Sequence, residues 1–307
     1  MQGIEERDST DAGPLGVVFG PVTVADVLLL CAVPAVLLAA ATLPLSVRQS
    51  LVFEYGDPTL RTALASSFVH VGPGHLAVNL LGYALVVPVA YLLSVVNGER
   101  WRFRVVFVSL LAVCPVVLSY LNLALVRAGG SAGFSGVLLA LYGYLPLALA
   151  THAETQFGIG RRRTTAPLLF FLGLLVITLL TLGAVLTYGV TVPFRGRTVA
   201  VGDVVTATLV GLLAALVLVV ALYLLSATGE GTAWCATLQA AAGSAGHFEL
   251  AVVATGLFLA LPFATFPVDP VVGGRVLNLY THLLGYALGF IATYILVVLE
   301  SEWLSSL

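Results

Sequence analysis

Ser135 and His282 are two residues of this chain whose types and apolar surroundings together suggest covalent chemistry. Ser135 lies in Gly133-Phe134-Ser135-Gly136, at the start of a long apolar run, and His282 lies in a second apolar run near the C-terminus. A hydroxyl is a weak nucleophile until a base takes its proton, and an imidazole is the side chain suited to do so near neutral pH. Polar and ionisable groups are costly at membrane depth, so each marks a candidate site. Gly133 and Gly136 remove side-chain bulk on both sides of Ser135, which allows close backbone approach and a sharp turn into a helix. A serine at a helix start also points its own N–H, aided by the helix dipole, toward a developing oxyanion. Taken alone, GxSG is equally a glycine-rich helix start with a serine cap.

The surrounding residues extend this pattern. His282, Gly285 and Gly289 recur at i, i+3 and i+7, which places them on one helix face. Gly136, Ala140 and Gly143 form a matching small face after Ser135. Small faces let helices approach closely, so the two runs are expected to pack together and bring His282 to Ser135. Plain small-residue packing explains Gly285 and Gly289 as well, but it does not explain the imidazole. Upstream, His75 and Asn79 are four apart and project from one face. Both can donate hydrogen bonds to an oxyanion, or they can be an interfacial histidine and an asparagine that joins helices. His70, just before the turn, is placed to brace the loop, although taken alone it reads most simply as an interfacial histidine.

These groups need apolar helices to position them. The chain has 307 residues, 60% hydrophobic and 9% charged, with a mean hydropathy of +1.07. A soluble domain carries roughly 25% charged residues, so the class is an all-α, polytopic membrane protein. Eight apolar segments are expected, at about 25–45, 75–96, 104–126, 133–151, 165–189, 203–226, 248–267 and 276–299. Pro34, Pro88, Pro115 and Pro146 fall inside them as tolerated kinks. Residues 46–74 read as a loop with a short interfacial helix, and 227–246 as a flexible loop. Residues 1–20, with Glu5, Glu6, Asp8 and Asp11 against Arg7, read as an acidic cytoplasmic tail, and 21–307 as the membrane domain.

All the basic residues are Arg, and two tight groups, Arg100/Arg102/Arg104 and Arg161/Arg162/Arg163, set the expected orientation. These loops and both termini are placed in the cytoplasm, and the plasma membrane is the expected location. A net charge of −2 gives no reason to expect a nucleic-acid partner. Cys31, Cys114 and Cys235 have neither zinc spacing nor a disulfide framework. No HExxH is present, so no metal or other cofactor is expected. Asp203 reads as a helix N-terminal acid rather than half of an aspartyl pair.

Taken together, His70, His75 and Asn79 on the second helix, GxSG on the fourth and HxxGxxxG on the last resemble the rhomboid intramembrane serine proteases. The resemblance covers about Phe68 to Gly143 and the final helix. It implies a serine endopeptidase with a Ser–His dyad that hydrolyses transmembrane protein substrates in the bilayer. Ser135 would be the nucleophile and His282 the base and acid. His75, Asn79 and the Ser135 N–H would form the oxyanion site, and His70, Gly133, Gly136, Gly285 and Gly289 would support it. The chain departs from the family in several places. The family core has six helices, so two extra ones would lie between the Ser and His helices. Leu139 stands where the family often has a Tyr that stacks on the catalytic His, and neither Tyr142 nor Tyr286 replaces it by spacing. The family's Trp-Arg is at best Leu60-Arg61, and its Glu after the second helix corresponds at best to Glu99. A rhomboid-like protein that escorts or retains transmembrane clients without cutting them is the alternative. A small-solute transporter would need paired interrupted helices, which the sequence does not display.

Overall fold

The computed structural model describes residues 13–124, 129–189, 191–194, 197–227, 241–267, 269, 271–272 and 275–305. Among them are eight helices long and apolar enough to cross a membrane. We number these α1 (Val24–Ala41), α2 (Pro73–Val96), α3 (Arg100–Leu121), α4 (Ser135–Phe157), α5 (Arg162–Tyr188), α6 (Gly202–Ala227), α7 (His247–Thr265) and α8 (Leu279–Ser305). The protein is a multi-pass membrane bundle of the all-α class, with only short two-stranded pairings beside its helices among the described residues.

The central helix is α4, 94% buried along its span. It breaks at Tyr144, between Ser135–Gly143 and Leu145–Phe157. Pro146 has no N–H for the carbonyl four residues back and crowds that turn. Helices α2, α3, α5, α7 and α8 pack around α4 and one another, while α6 lies against the outer side of α5. The span of α6 is only 11% buried, as suits a helix facing lipid on most sides. Asp203 sits in its first turn, where a negative charge meets the positive end of the helix dipole.

Three prolines share one solution to the bond they break. Pro34, Pro167 and Pro262 cannot donate to the carbonyls of Leu30, Arg163 and Phe258. Each freed carbonyl accepts a tyrosine hydroxyl from a neighbouring helix: Tyr83 on Leu30 at 2.7 Å, Tyr294 on Arg163 at 2.8 Å and Tyr142 on Phe258 at 2.6 Å. Where lipid excludes water a neighbouring side chain must take that role, and at these three prolines it is a tyrosine. Of these prolines, the kinks read from the sequence included Pro34 but neither Pro167 nor Pro262.

The bundle has two chemically distinct ends. At one, Asp26 accepts hydrogen bonds from Thr23 and Tyr91 and pairs with Arg100 and Arg104. Beside it, Glu99 pairs with Arg102 and Arg162, and Arg102 with Glu300. The starts of α1, α3 and α5 and the ends of α2 and α8 therefore share the arginine end. The opposite end carries His70, His75, Ser135 and His282.

The segment read as a loop with one short helix holds two, Leu45–Ser50 and Leu60–Ala65, followed by a 3₁₀ turn at Ser66–Phe68. Phe53–Glu54 pairs antiparallel with Gly130–Ser131, which straps this segment to the approach to Ser135. The acidic residues of the tail lie outside the described residues, but Pro14–Phe19 is helical and packs against Gly246 at the start of α7. Packed chain thus begins ahead of residue 21. The loop expected at 227–246 lies largely outside the described residues, and Cys235 with it.

Candidate active site

Ser135 is delivered by a loop that is hydrogen-bonded at successive residues. The Gly133 N–H donates to the Ser66 carbonyl at 2.9 Å, and the Phe134 N–H to His70 Nε2 at 3.3 Å. Phe134 is fully buried, its ring beside Phe68 and Tyr83. Gly133 has φ +122°, a conformation side chains rarely adopt, and a Cβ there would collide with the His75 imidazole. Two independent constraints therefore select glycine. Ser135 then opens α4 half-buried, with its backbone N–H among those a helix start leaves without an intrahelical acceptor.

Helix α8 meets α4 through the small faces read from the sequence. A Cβ on Gly285 would strike the Gly136 carbonyl, one on Gly289 the Ala140 backbone, and one on Gly143 the Tyr286 carbonyl. Gly136 in turn lies against Thr281, the neighbour of His282, so Ser135 and His282 occupy the same level of two touching helices. The start of α8 is clasped to the end of α3: Asn278 Nδ2 and the Thr281 hydroxyl both donate to Asn122 Oδ1 at 2.8 Å.

His282 is 5% exposed, and its Nδ1 lies 2.8 Å from the Thr265 carbonyl. A carbonyl can only accept, so the proton sits on Nδ1 and Nε2 keeps the basic lone pair. The carbonyl is free because it belongs to the last turn of α7, where helices leave carbonyls without partners. Phe266 packs edge-on against the imidazole, centroids 5.8 Å apart. No hydrogen bond joins the Ser135 hydroxyl to His282 among the described residues; such bonds are often long before substrate binds.

His70, His75 and Asn79 form one cluster. Asn79 Nδ2 donates to His70 Nε2 at 2.9 Å and to the His75 carbonyl at 3.0 Å. His70 Nε2 accepts from both Asn79 and Phe134, so its proton is on Nδ1, which is buried and has no partner among the described residues. Arg48 donates to the His70 carbonyl at 2.6 Å. Burial, and then the charges of His75 and Arg48, push His70 down from the ordinary 6.5 to about 4. Between those two pH values the unfolded chain binds a proton that the folded one refuses. The stability His70 contributes is therefore whole above pH 6.5 and is lost as pH falls toward about 4. Thermal unfolding in detergent is expected to show wild type losing stability relative to His70→Asn across that window. A constant gap between the two would contradict the buried neutral His70.

No family model, curated protein or solved structure matches the chain.

Ser135, His282, His70, His75 and Asn79 thus stand at one end of the bundle, Gly285 and Gly289 lie deeper along the α4–α8 contact, and His75 touches Gly133 as Gly136 touches α8. Four contributors were not anticipated: Thr265, Phe266, Asn122 and Arg48. Leu139 is fully buried, Tyr142 bonds the Phe258 carbonyl and Tyr286 that of Phe170, so Phe266 is the ring that His282 meets. Among the described residues no three His, Cys, Asp or Glu side chains converge as metal ligands. Arg61 lines an open cavity of about 430 Å³ with Glu54 and Asp57, and Glu99 belongs to the arginine end.

Proposed function

We propose that this protein is a rhomboid-type intramembrane serine endopeptidase that cuts transmembrane protein substrates. The observation carrying this reading is the contact of α4 and α8 at Gly136 and Gly285, beside an imidazole whose Nδ1–H is held by Thr265. His282 Nε2 takes the Ser135 proton as Oγ attacks the scissile carbonyl, and the imidazolium then protonates the leaving amine. Water, activated by the same nitrogen, releases the acyl group. The Thr265 carbonyl does here what a carboxylate does in soluble triads, fixing the tautomer and favouring the imidazolium. The oxyanion would accept from the Ser135 N–H, His75 and Asn79. Since both Asn79 amide hydrogens are engaged, Asn79 must exchange one of these bonds to take part. Asn79→Ala is expected to lower kcat by about 10²–10³, measured on a transmembrane peptide in vesicles; a variant as fast as wild type would remove Asn79 from the oxyanion site. The arginine end is placed in the cytoplasm of a plasma-membrane protein, with both termini.

The direct test is covalent labelling of the purified protein by a fluorophosphonate probe. Wild type should label and Ser135→Ala should not. The unbonded Ser135 hydroxyl and the buried Leu139 favour a second reading, a non-cutting protein that binds transmembrane clients. Labelling absent in wild type while a transmembrane peptide still co-purifies would select that reading.

A further inference from the structure

We infer that Tyr142 is a positioning residue for His282, acting through the Pro262 bend of α7; the inference rests on the Ser135–His282 chemistry proposed above. Tyr142 stands on α4 two turns beyond Ser135, and its buried hydroxyl donates to the Phe258 carbonyl at 2.6 Å. That carbonyl needs an outside donor because Pro262 cannot supply one. One turn further, the Phe266 N–H closes on the Pro262 carbonyl at 2.8 Å, and α7 ends with the Thr265 carbonyl on His282 Nδ1. Three contacts thus close a triangle: α4 to α7 through Tyr142, α7 to α8 through Thr265, and α8 to α4 through the glycines. The hydroxyl of one tyrosine ties the carbonyl that orients the base to the helix that carries the nucleophile. Without that hydroxyl, α7 is freed at its bend, Thr265 leaves His282, and the proton can move to Nε2, the nitrogen that must be free.

Tyr142→Phe removes only the hydroxyl and keeps the ring against Phe258 and Tyr286. Tyr294→Phe removes the same kind of bond from a proline-freed carbonyl at the arginine end and serves as control. The full chain in vesicles would be assayed on a transmembrane peptide, and the His282 tautomer read by ¹⁵N NMR of histidine-labelled protein, assigned against His282→Gln. Tyr142→Phe should lower kcat about tenfold, with KM unchanged, and populate the Nε2–H form; small misplacements cost up to about a hundredfold. Tyr294→Phe should change neither. Pro262→Ala restores an N–H to Phe258, so in that background the Tyr142→Phe penalty should shrink to about threefold or less, the coupling expected of groups sharing one bond. A wild-type tautomer in Tyr142→Phe, equal losses in Tyr294→Phe, or an undiminished penalty in the Pro262→Ala background would overturn the assignment. If wild type shows no Ser135-dependent hydrolysis, the protease reading fails, and the tautomer measurement still decides what Tyr142 does.

Discussion

Ser135→Ala is expected to reduce cleavage of a transmembrane peptide by about 10⁴–10⁶, with His282→Ala close behind and the double variant no slower than the worse single one. The non-additivity follows from the division of labour. The hydroxyl is inert unless Nε2 can accept its proton, and Nε2 has nothing to accept once the hydroxyl is gone. Residual rate would come from the oxyanion donors and from substrate binding, which neither change removes. Both side chains lie at the margin of the α4–α8 contact. Ser135→Ala removes one atom from a half-buried side chain and should unfold within a few degrees of wild type, whereas His282→Ala empties a buried site and takes the donor from the Thr265 carbonyl, so it should unfold earlier. Cleavage that survives Ser135→Ala in a folded protein would rule out Ser135 as nucleophile. Losses that multiply in the double variant would show that the two groups act separately.

Much of this arrangement is legible in the sequence because periodicity survives without coordinates. Eight apolar runs give eight helices, and glycines three and seven residues after His282 announce the face that meets Gly136 and Ala140. Backbone roles are not legible. Thr265 contributes a carbonyl, which any residue at the end of α7 would own, and no motif marks it. Tyr142 is needed because of a proline that follows it by more than a hundred residues, a pairing fixed only by how α4 and α7 pack. His70 taken alone read most simply as an interfacial histidine, yet it accepts from both Asn79 and the Phe134 backbone, a bridge that requires the loop and α2 in register. Of the three helices between the Ser and His helices, the sequence offered no way to rank them. Packing separates α6, outside the ring, from α5 and α7, which border α4. The hydrogen bond and the ring contact of His282 come from the end of α7, at Thr265 and Phe266.

Gly285→Val is the second large effect, and it tests the contact rather than the chemistry. A first carbon at residue 285 already falls inside contact distance of the Gly136 carbonyl and near the Ala140 nitrogen. These are backbone atoms, so no side chain can rotate aside, and the helices themselves must part. Helices in lipid associate largely through such close packing, and overpacking a tight contact costs about 1–3 kcal/mol. Parting by about 1 Å at Gly285, one turn from His282, also displaces the base, which costs about 10² or more in rate. Gly183→Val makes the comparison fair, because nothing lies within 4 Å of a Cβ at that residue of α5. It should keep wild-type cleavage and thermal stability, whereas Gly285→Val should lose at least about 99% of activity and unfold earlier. Gly289→Val, one turn deeper against the Ala140 carbonyl, should match the stability loss of Gly285→Val but lose less activity, since its distortion is centred farther from His282. Equal activity in Gly285→Val and wild type would mean that α4 and α8 do not need this contact to bring serine and histidine together.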